Sequence, residues 1–336
     1  MLERIIRLSI RQRYIVLAVA ALLAILGMWS FSRLKIDAVP DITNVQVQIN
    51  TAAPGFSPLE AEQRITFPVE TAIAGLPRLE YTRSVSRYGL SQVTVVFKDG
   101  TDIYFARQLV NERLQGVRSG LPANIEPELG PIATGLGEIF MYTVEARPGA
   151  VNDKGKLYTP QDLRTLHDWV IRPQLRTVKG VTEVNSVGGF RREYVVAPIP
   201  ERLSGFGLSV PDLVAALEKN NANVGAGYIE QSGSQDLIRV PVQAANETDL
   251  AGIIVAYRQN TPIRVADVAD VQIGSEIRNG AATKDGREVV LGTIYMLVGE
   301  NAREVSVAVA GRLAEVNKSL PGGVTVNTVY DRSKLV

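Results

Sequence analysis

Residues 91–122 read SQVTVVFKDGTDIYFARQLVNERLQGVRSGLP. An apolar, β-branched run over 91–98 predicts a strand, and Asp102 is placed to cap a helix over 102–119, which Leu121-Pro122 then stops. The same punctuation returns about 200 residues later: Thr94, Val95 and Gly100 fall on Thr293, Ile294 and Gly299, and Arg113-Leu114, Val117 and Leu121-Pro122 fall on Arg312-Leu313, Val316 and Leu320-Pro321. A shorter displacement, of about 100 residues, carries Ser57-Pro58 onto Thr159-Pro160, and Leu76, Leu79, Ser84 and Val85 onto Val178, Val181, Ser186 and Val187. Two offsets that differ by about 100 residues are what one module present twice produces when the second copy carries an insertion.

The first copy covers about 41–127. Val45, Val47 and Ile49 share one face of a strand. A helix follows over 57–74, kinked at Pro68, then a hairpin of strands 79–87 and 91–98 about Tyr88-Gly89, then helix 102–119. A closing strand makes this a split βαβ, ferredoxin-like βαββαβ sandwich. The second copy has strand 138–146, helix 160–176, strand 181–187, strand 288–298, helix 302–319 and strand 323–330. Its insertion holds a helix at 209–220 and strands at 224–231, 236–243, 253–256 and 268–277, enough for a small α/β unit.

Thirty-six basic and 35 acidic residues nearly cancel, so no basic excess points to nucleic acid. There is no cysteine, which excludes disulfides, zinc–thiolate sites and cysteine nucleophiles. P-loop, GxSxG and HExxH patterns are absent, and Gly135-Leu136-Gly137 lacks the third glycine and following helix of a dinucleotide fold, so no enzyme is expected. Tyr14–Ser32 (YIVLAVAALLAILGMWSFS) contains no charge and is long enough to span a bilayer as a helix. It exceeds a signal-peptide core, and Trp29-Ser30-Phe31 is a poor cleavage site. Arg4, Arg7, Arg11 and Arg13 precede it, which puts residues 1–13 in the cytoplasm and residues 33–336 across the membrane.

Three stretches carry a resemblance over and above this pattern: KIDAVPDITNVQVQINTAAPGFSPLEAEQRITFPVE (35–70), SRYGLSQVTVVFKDGTDIYFARQLVNERL (86–114) and IATGLGEIFMYTVEA (132–146). With them the whole chain, as far as YDRSKLV, resembles the heavy-metal branch of the resistance-nodulation-division (RND) efflux transporters, the cobalt–zinc–cadmium and copper–silver type pumps. The resemblance implies an α+β architecture with one transmembrane helix (14–32), porter subdomain 1 (33–133), porter subdomain 2 (134–187 and 287–336) and a docking subdomain (188–286) inserted into the second. It also implies a homotrimeric permease in the bacterial inner membrane, with a periplasmic adaptor and an outer-membrane channel as partners, and cation export driven by proton entry. Members of that family are far longer, and their proton-relay acids lie on helices beyond the point matching Val336. By resemblance the chain is an N-terminal portion that does not pump alone. The alternative is a single-pass, membrane-anchored periplasmic metal-binding or interaction protein.

The candidate site residues are Glu138, Asp168 and, more weakly, His167. Glu138 opens strand 138–146 after a flexible Gly-Leu-Gly turn, and alternation puts it on the face of Phe140, Tyr142 and Val144. A carboxylate there is desolvated unless it pairs, and a divalent cation is one such partner. Asp168 lies at the edge of a helical stripe formed by Leu163, Leu166 and Val170. The bland readings are a strand-end acid, a solvated helix acid and a core histidine. By resemblance, Glu138 and Asp168 are carboxylates of a proximal cation site whose other ligands come from elsewhere in the longer proteins. Oxygen and imidazole ligands favour Zn, Co, Cd or Ni over Cu or Ag, and no resident cofactor is expected. Met141 and Met296 read as core. YIEQSGSQDL (228–237) reads as an exposed hairpin tip, and 331–334 (DRSK) as a solvated linker.

Overall fold

A computed structural model describes residues 10–32, 43–220, 224–231, 234–240, 243–278 and 280–335. Helix α1, Arg13–Ser32, is long and apolar enough to cross a membrane, and the window Arg13–Ser30 has none of its side chains buried against the rest of the protein. At roughly 1.5 Å per residue it is about 30 Å long, the thickness of a hydrocarbon core.

The first sheet contains β1 (Gln46–Ala52), β2 (Leu79–Arg87), β3 (Leu90–Phe97) and β4 (Pro127–Leu129), in the order β2-β3-β1-β4. Helix α2 spans 58–73 between β1 and β2, and α3 (Ile103–Val117) lies between β3 and β4. Val47, Ile49, Val93, Val95 and Phe97 pack against Val69, Ile73, Val110 and Leu114 of these helices, all essentially inaccessible to solvent. Burial of each such side chain contributes about 1.5–3 kcal/mol, and this core fixes which face of the sheet is covered.

The second sheet repeats that order. It is built from β5 (Glu138–Ala146), β6 (Val181–Val187), β14 (Arg287–Met296) and β15 (Val324–Asp331), with β5 between β14 and β15 and with β6 on the far side of β14. Helix α4 spans 160–176 between β5 and β6, and α9 (Ala302–Ser319) lies between β14 and β15. The initiating caps recur as well. Ser57 and Glu60 form a capping box ahead of Pro58, and Thr159 and Asp162 form one ahead of Pro160.

Between β6 and β14 lie β7 (Arg192–Pro198), α5 (Pro200–Gly205), α6 (Val210–Lys219), β8 (Val224–Gln231), β9 (Ser234–Val240), α7 (Glu247–Gly252), β10 (Ile254–Arg258), β11 (Thr261–Arg264), α8 (Val265–Val268), β12 (Ala269–Ser275) and the edge strand β13 (Ala282–Lys284). Leu203, Leu213, Leu250, Ile263, Val265 and Val268 give this region its own core. β7 and β12 pair as a ribbon, and β8 pairs with β9; the tip Ser232-Gly233 lies outside the described residues.

The kink expected at Pro68 takes a different form. α2 contains a π-helical turn, Glu62–Thr66, closed by the Phe67 amide donating to the Glu62 carbonyl, immediately before Pro68. α4 contains a matching turn, His167–Ile171, closed by the Arg172 amide on the His167 carbonyl, immediately before Pro173. Proline cannot donate to the carbonyl four residues back, and the widened turn re-pairs the backbone around it. The wider turn also moves the buried stripe of α4. Leu163, His167, Ile171 and Leu175 are the buried positions, in place of the Leu163, Leu166 and Val170 stripe that a regular period gives.

Candidate functional site

Glu138 is not on the face that alternation assigns to it. β5 and β14 run in regular register from Val144–Val290 to Phe140–Ile294, and then Tyr295 pairs with Glu138, which leaves Ile139 as an extra residue. This bulge turns Ile139 into the core, where it is fully buried beside Phe140 and Tyr142, and places Glu138 on the other face. Tyr295 is on that open face, since its neighbours Ile294 and Met296 both belong to the core. Its hydroxyl donates to Glu138 Oε2 at 3.2 Å. On the other side of β14, Tyr295 is in register with Glu183 of β6, so Glu138, Tyr295 and Glu183 form a row across three strands. Burial pushes the Tyr295 phenol up, and the Glu138 charge and hydrogen bond push it further. The hydroxyl therefore stays protonated and serves Glu138 as a donor.

The turn ahead of Glu138 is held in place, contrary to the flexibility expected of Gly-Leu-Gly. Gly135–Gly137 form a 3-10 turn with the Gly137 amide on the Thr134 carbonyl at 2.9 Å. A Cβ on Gly137 would come within 3.2 Å of the Met296 carbonyl oxygen, so only glycine permits that approach without a shift. Arg332 Nη1 donates to the Leu136 carbonyl, and Arg332 is buried. The 331–334 segment is thus a 3-10 turn, Arg332–Lys334, capped by Asp331 and clamping the Glu138 loop, and not a solvated linker, because its arginine has a carbonyl to satisfy.

Asp168 and His167 belong to α4, which covers the opposite face of the sheet. Tyr142 O–H meets His167 Nε2 at 2.9 Å, and His167 Nδ1 meets Asp168 Oδ1 at 3.1 Å. Asp168 also accepts from Ser186 Oγ at 3.1 Å and from Arg164 Nε at 2.7 Å, and Arg172 Nη1 stands 3.9 Å away. Burial pushes His167 down, against the pull of Asp168, so the ring is neutral at pH 7. Its Nδ1–H then donates to Asp168 and its Nε2 accepts from Tyr142. Burial opposes ionisation of Asp168, but the hydrogen bonds from His167 and Arg164, and the Arg164 charge, hold its carboxyl well below the usual carboxylate range. Both ring nitrogens of His167 and both oxygens of Asp168 are occupied by protein partners.

The structure does not bring Glu138 and Asp168 together. Ser186, which bonds Asp168, is in register with Gly292 and Tyr142, whereas Glu138 is in register with Tyr295 and Glu183. Four residues of β5, roughly 13 Å at about 3.3 Å each, separate the two levels, and the sheet itself lies between the two faces. Among the described residues no three His, Cys, Asp or Glu side chains converge as a metal cluster. Glu183 is the acid that sequence reasoning passed over. Its signal was the pairing of strand 181–187 with strand 288–298, which sets it across from Tyr295.

The buried network depends on Gly292. A Cβ there would fall inside van der Waals contact of Tyr142 Cζ, so the phenol lies across the strand only because residue 292 has no side chain. Gly292→Ala is expected to force Tyr142 aside, break its bond to His167 and cost about 2–4 kcal/mol, the sum of overpacking and a lost buried hydrogen bond. Denaturant unfolding of the variant checks this, and an unchanged midpoint would contradict it.

The chain is 60% identical, over all 336 residues, to the cobalt-zinc-cadmium resistance protein CzcA of Cupriavidus metallidurans (strain ATCC 43123 / DSM 2839 / NBRC 102507 / CH34), covering 32% of that protein. It is 45% identical to the nickel and cobalt resistance protein CnrA of the same organism, with all of the chain and 34% of the relative covered. The chain therefore spans about a third of the length of the curated relatives it matches. An X-ray crystal structure of a heavy metal efflux pump superposes on 98% of the chain with a TM-score of 0.86 and 31% identity, and the chain covers 32% of it. The AcrB/AcrD/AcrF family profile matches residues 5–336. Mixed α/β structure behind one apolar helix, together with a match that runs almost from end to end, makes this chain a member of the AcrB/AcrD/AcrF family.

Proposed function

We propose that the chain forms the first membrane helix, two porter subdomains and an inserted docking subdomain of an inner-membrane RND permease for divalent heavy-metal cations. The shared strand order of the two sheets, and the position of the insertion between β6 and β14, support the porter boundaries 33–133 and 134–187 with 287–336, and the docking boundaries 188–286. The arginines at 4, 7, 11 and 13 support a cytoplasmic N-terminus and a periplasmic 33–336. Helix α1 carries no acid, so proton uptake is assigned to the rest of the longer permease. Family likeness supports a homotrimer that works with a periplasmic adaptor and an outer-membrane channel.

The observation that carries the site is the open-face row of Glu138, Tyr295 and Glu183. Two carboxylates of one face, with a phenol between them, are oxygen donors suited to zinc, cobalt, cadmium or nickel more than to copper(I) or silver. The cobalt named in both relatives agrees with that preference. Asp168 and His167, the other two candidates, would reach a cation only by giving up the Tyr142–His167–Asp168–Arg164 chain. Glu138 and Glu183 are the stronger pair on this geometry. The test is expression of the complete permease in metal-sensitive cells. Tolerance to zinc, cobalt or cadmium should rise and be abolished by a proton uncoupler. Tolerance gained to silver or copper alone would reject the assignment.

A further inference from the structure

We propose that an arginine-lined cleft beside α4 docks an acidic segment of a partner polypeptide. The cleft, of about 680 Å³, lies between α4 and the two connectors that lead into and out of the inserted region, 188–192 and 276–278 with Gly280. Arg164, Arg172, Arg191, Arg192 and Arg278 line it, against Asp168 and Glu276.

The arginines have donors to spare. A guanidinium carries five N–H donors. Arg164, Arg192 and Arg278 each hold one protein carboxylate closely, at 2.7 Å from Asp168, 3.2 Å from Asp162 and 2.7 Å from Glu288. Arg191 and Arg172 hold theirs only loosely, at 3.7 Å from Glu276 and 3.9 Å from Asp168. Arg172 Nε is shielded from solvent without a hydrogen-bond partner. An incoming carboxylate meets two loosely held guanidiniums, and bidentate pairing is the arrangement they favour.

The rim decides between a small anion and a polypeptide. Trp169 is 80% exposed and Ile277 87% exposed. Phe190 carries the Arg278 guanidinium 5.0 Å above its ring. Tryptophan and arginine around an apolar residue are the composition of interface hot spots. A small polycarboxylate would satisfy the arginines and leave Trp169 and Ile277 in water, whereas a peptide with carboxylates and an apolar anchor covers both.

The cleft is also built in advance. Arg164 Nη1 donates to the Gly188 carbonyl at 2.9 Å, and Gln161 Nε2 donates to the Gly274 carbonyl at 2.7 Å. Gly189 has φ +67°, and a Cβ there would lie 2.7 Å from the Pro160 carbonyl oxygen and 2.8 Å from Arg164 Cβ, so glycine is what lets the connector pass this close to α4. A preformed site avoids much of the ordering cost of association.

Trp169 is its own reporter, because the chain has two tryptophans and Trp29→Phe leaves only this one. The experiment titrates the detergent-solubilised complete permease, carrying Trp29→Phe and phenylalanine in place of any tryptophan beyond residue 336, with a peptide of about twelve residues alternating Glu and Leu, and follows Trp169 emission. A saturable blue shift is expected, weakened at least tenfold by Arg191→Glu and by Ile277→Ser. Both positions are exposed, and circular dichroism and a thermal melt matching the parent would show the variants folded. Absence of a shift, an equal response to a Gln–Leu peptide or an equal response to citrate would each overturn the proposal. So would Trp169 emission that is already blue-shifted before peptide is added, since that means another part of the chain or a second copy covers the cleft.

Discussion

Glu138→Gln in the complete permease is expected to lower zinc or cobalt transport by at least about tenfold, while the protein stays folded and in the membrane. Glutamine keeps the volume and an oxygen that can still accept from the Tyr295 hydroxyl, so the local packing survives. What it removes is the negative charge. A tenfold loss corresponds to about 1.4 kcal/mol, modest for deleting one of two charges facing a dication at a partly desolvated surface. Glu183→Gln should act in the same direction, since Glu183 is on the same face across Tyr295. Losses that exceed the sum of the single variants in the double variant, or fall well short of it, would measure how closely the two acids share one ion. Asp168→Asn is the discriminating control. If the cation site were Glu138 with Asp168, that variant would impair transport in proportion to Glu138→Gln. On the geometry described, its effect is on stability. Wild-type uptake of radioactive zinc into inverted vesicles by Glu138→Gln would remove Glu138 from the site.

Much of the architecture was legible because it rests on periodicity and punctuation. Ser57-Pro58 and Thr159-Pro160 both start helices, Asp102 caps α3 by accepting from the Phe105 amide, and the α9 boundaries expected at 302–319 are those found. The site was less legible, because it depends on local departures from the period. One extra residue, Ile139, reverses the face of Glu138. The core-histidine reading of His167 holds, since it follows Leu163 by four residues and is fully buried; what the widened turn His167–Ile171 changes is the stripe beyond it, where Ile171 and Leu175 are buried. No spacing in the sequence announces the bulge, since a bulge is defined by what the partner strand does. Pro173 is the available cue for the π-turn, two residues past its end just as Pro68 is two residues past the end of the one in α2. The role of Arg332 is hidden in the sequence for a similar reason. A charged residue in DRSK has the composition of a linker, and only the fold supplies the Leu136 carbonyl that buries it. In the inserted region, β7, α5 and β11 are short elements held by strand pairing and a small core, and β13 is a three-residue edge strand on β14; hydrophobic alternation over so few residues carries little signal.

Asp168→Ala should be among the most destabilising substitutions in the second sheet's half of the chain. Removing the carboxylate leaves the His167 Nδ1–H, the Ser186 hydroxyl and the Arg164 Nε without their acceptor in one step. Breaking a fully buried pair costs about 3–5 kcal/mol; Asp168 and Arg164 retain 16% and 19% side-chain exposure, which lowers the expectation to about 2–4 kcal/mol. The same network fixes an acid-sensitive window. The His167 pKa lies below its unfolded value of about 6.5, so its contribution is fully present above that pH. As pH falls from there towards the folded value, the unfolded state binds a proton that the folded state refuses. Stability then drops by up to about 1.4 kcal/mol per pH unit for this one group. Asp168, held low by His167 and Arg164, keeps its contribution through this range and loses it only in stronger acid, below the ordinary carboxylate value. His167→Gln should therefore flatten the stability profile just below about pH 6.5, and leave the steeper acid limb, which belongs to Asp168 and other carboxylates, in place. Urea unfolding at stepped pH reads both. A profile with the same slope in the variant and the parent would mean that His167 is already charged in the folded protein, and that the Tyr142 hydroxyl is not its donor.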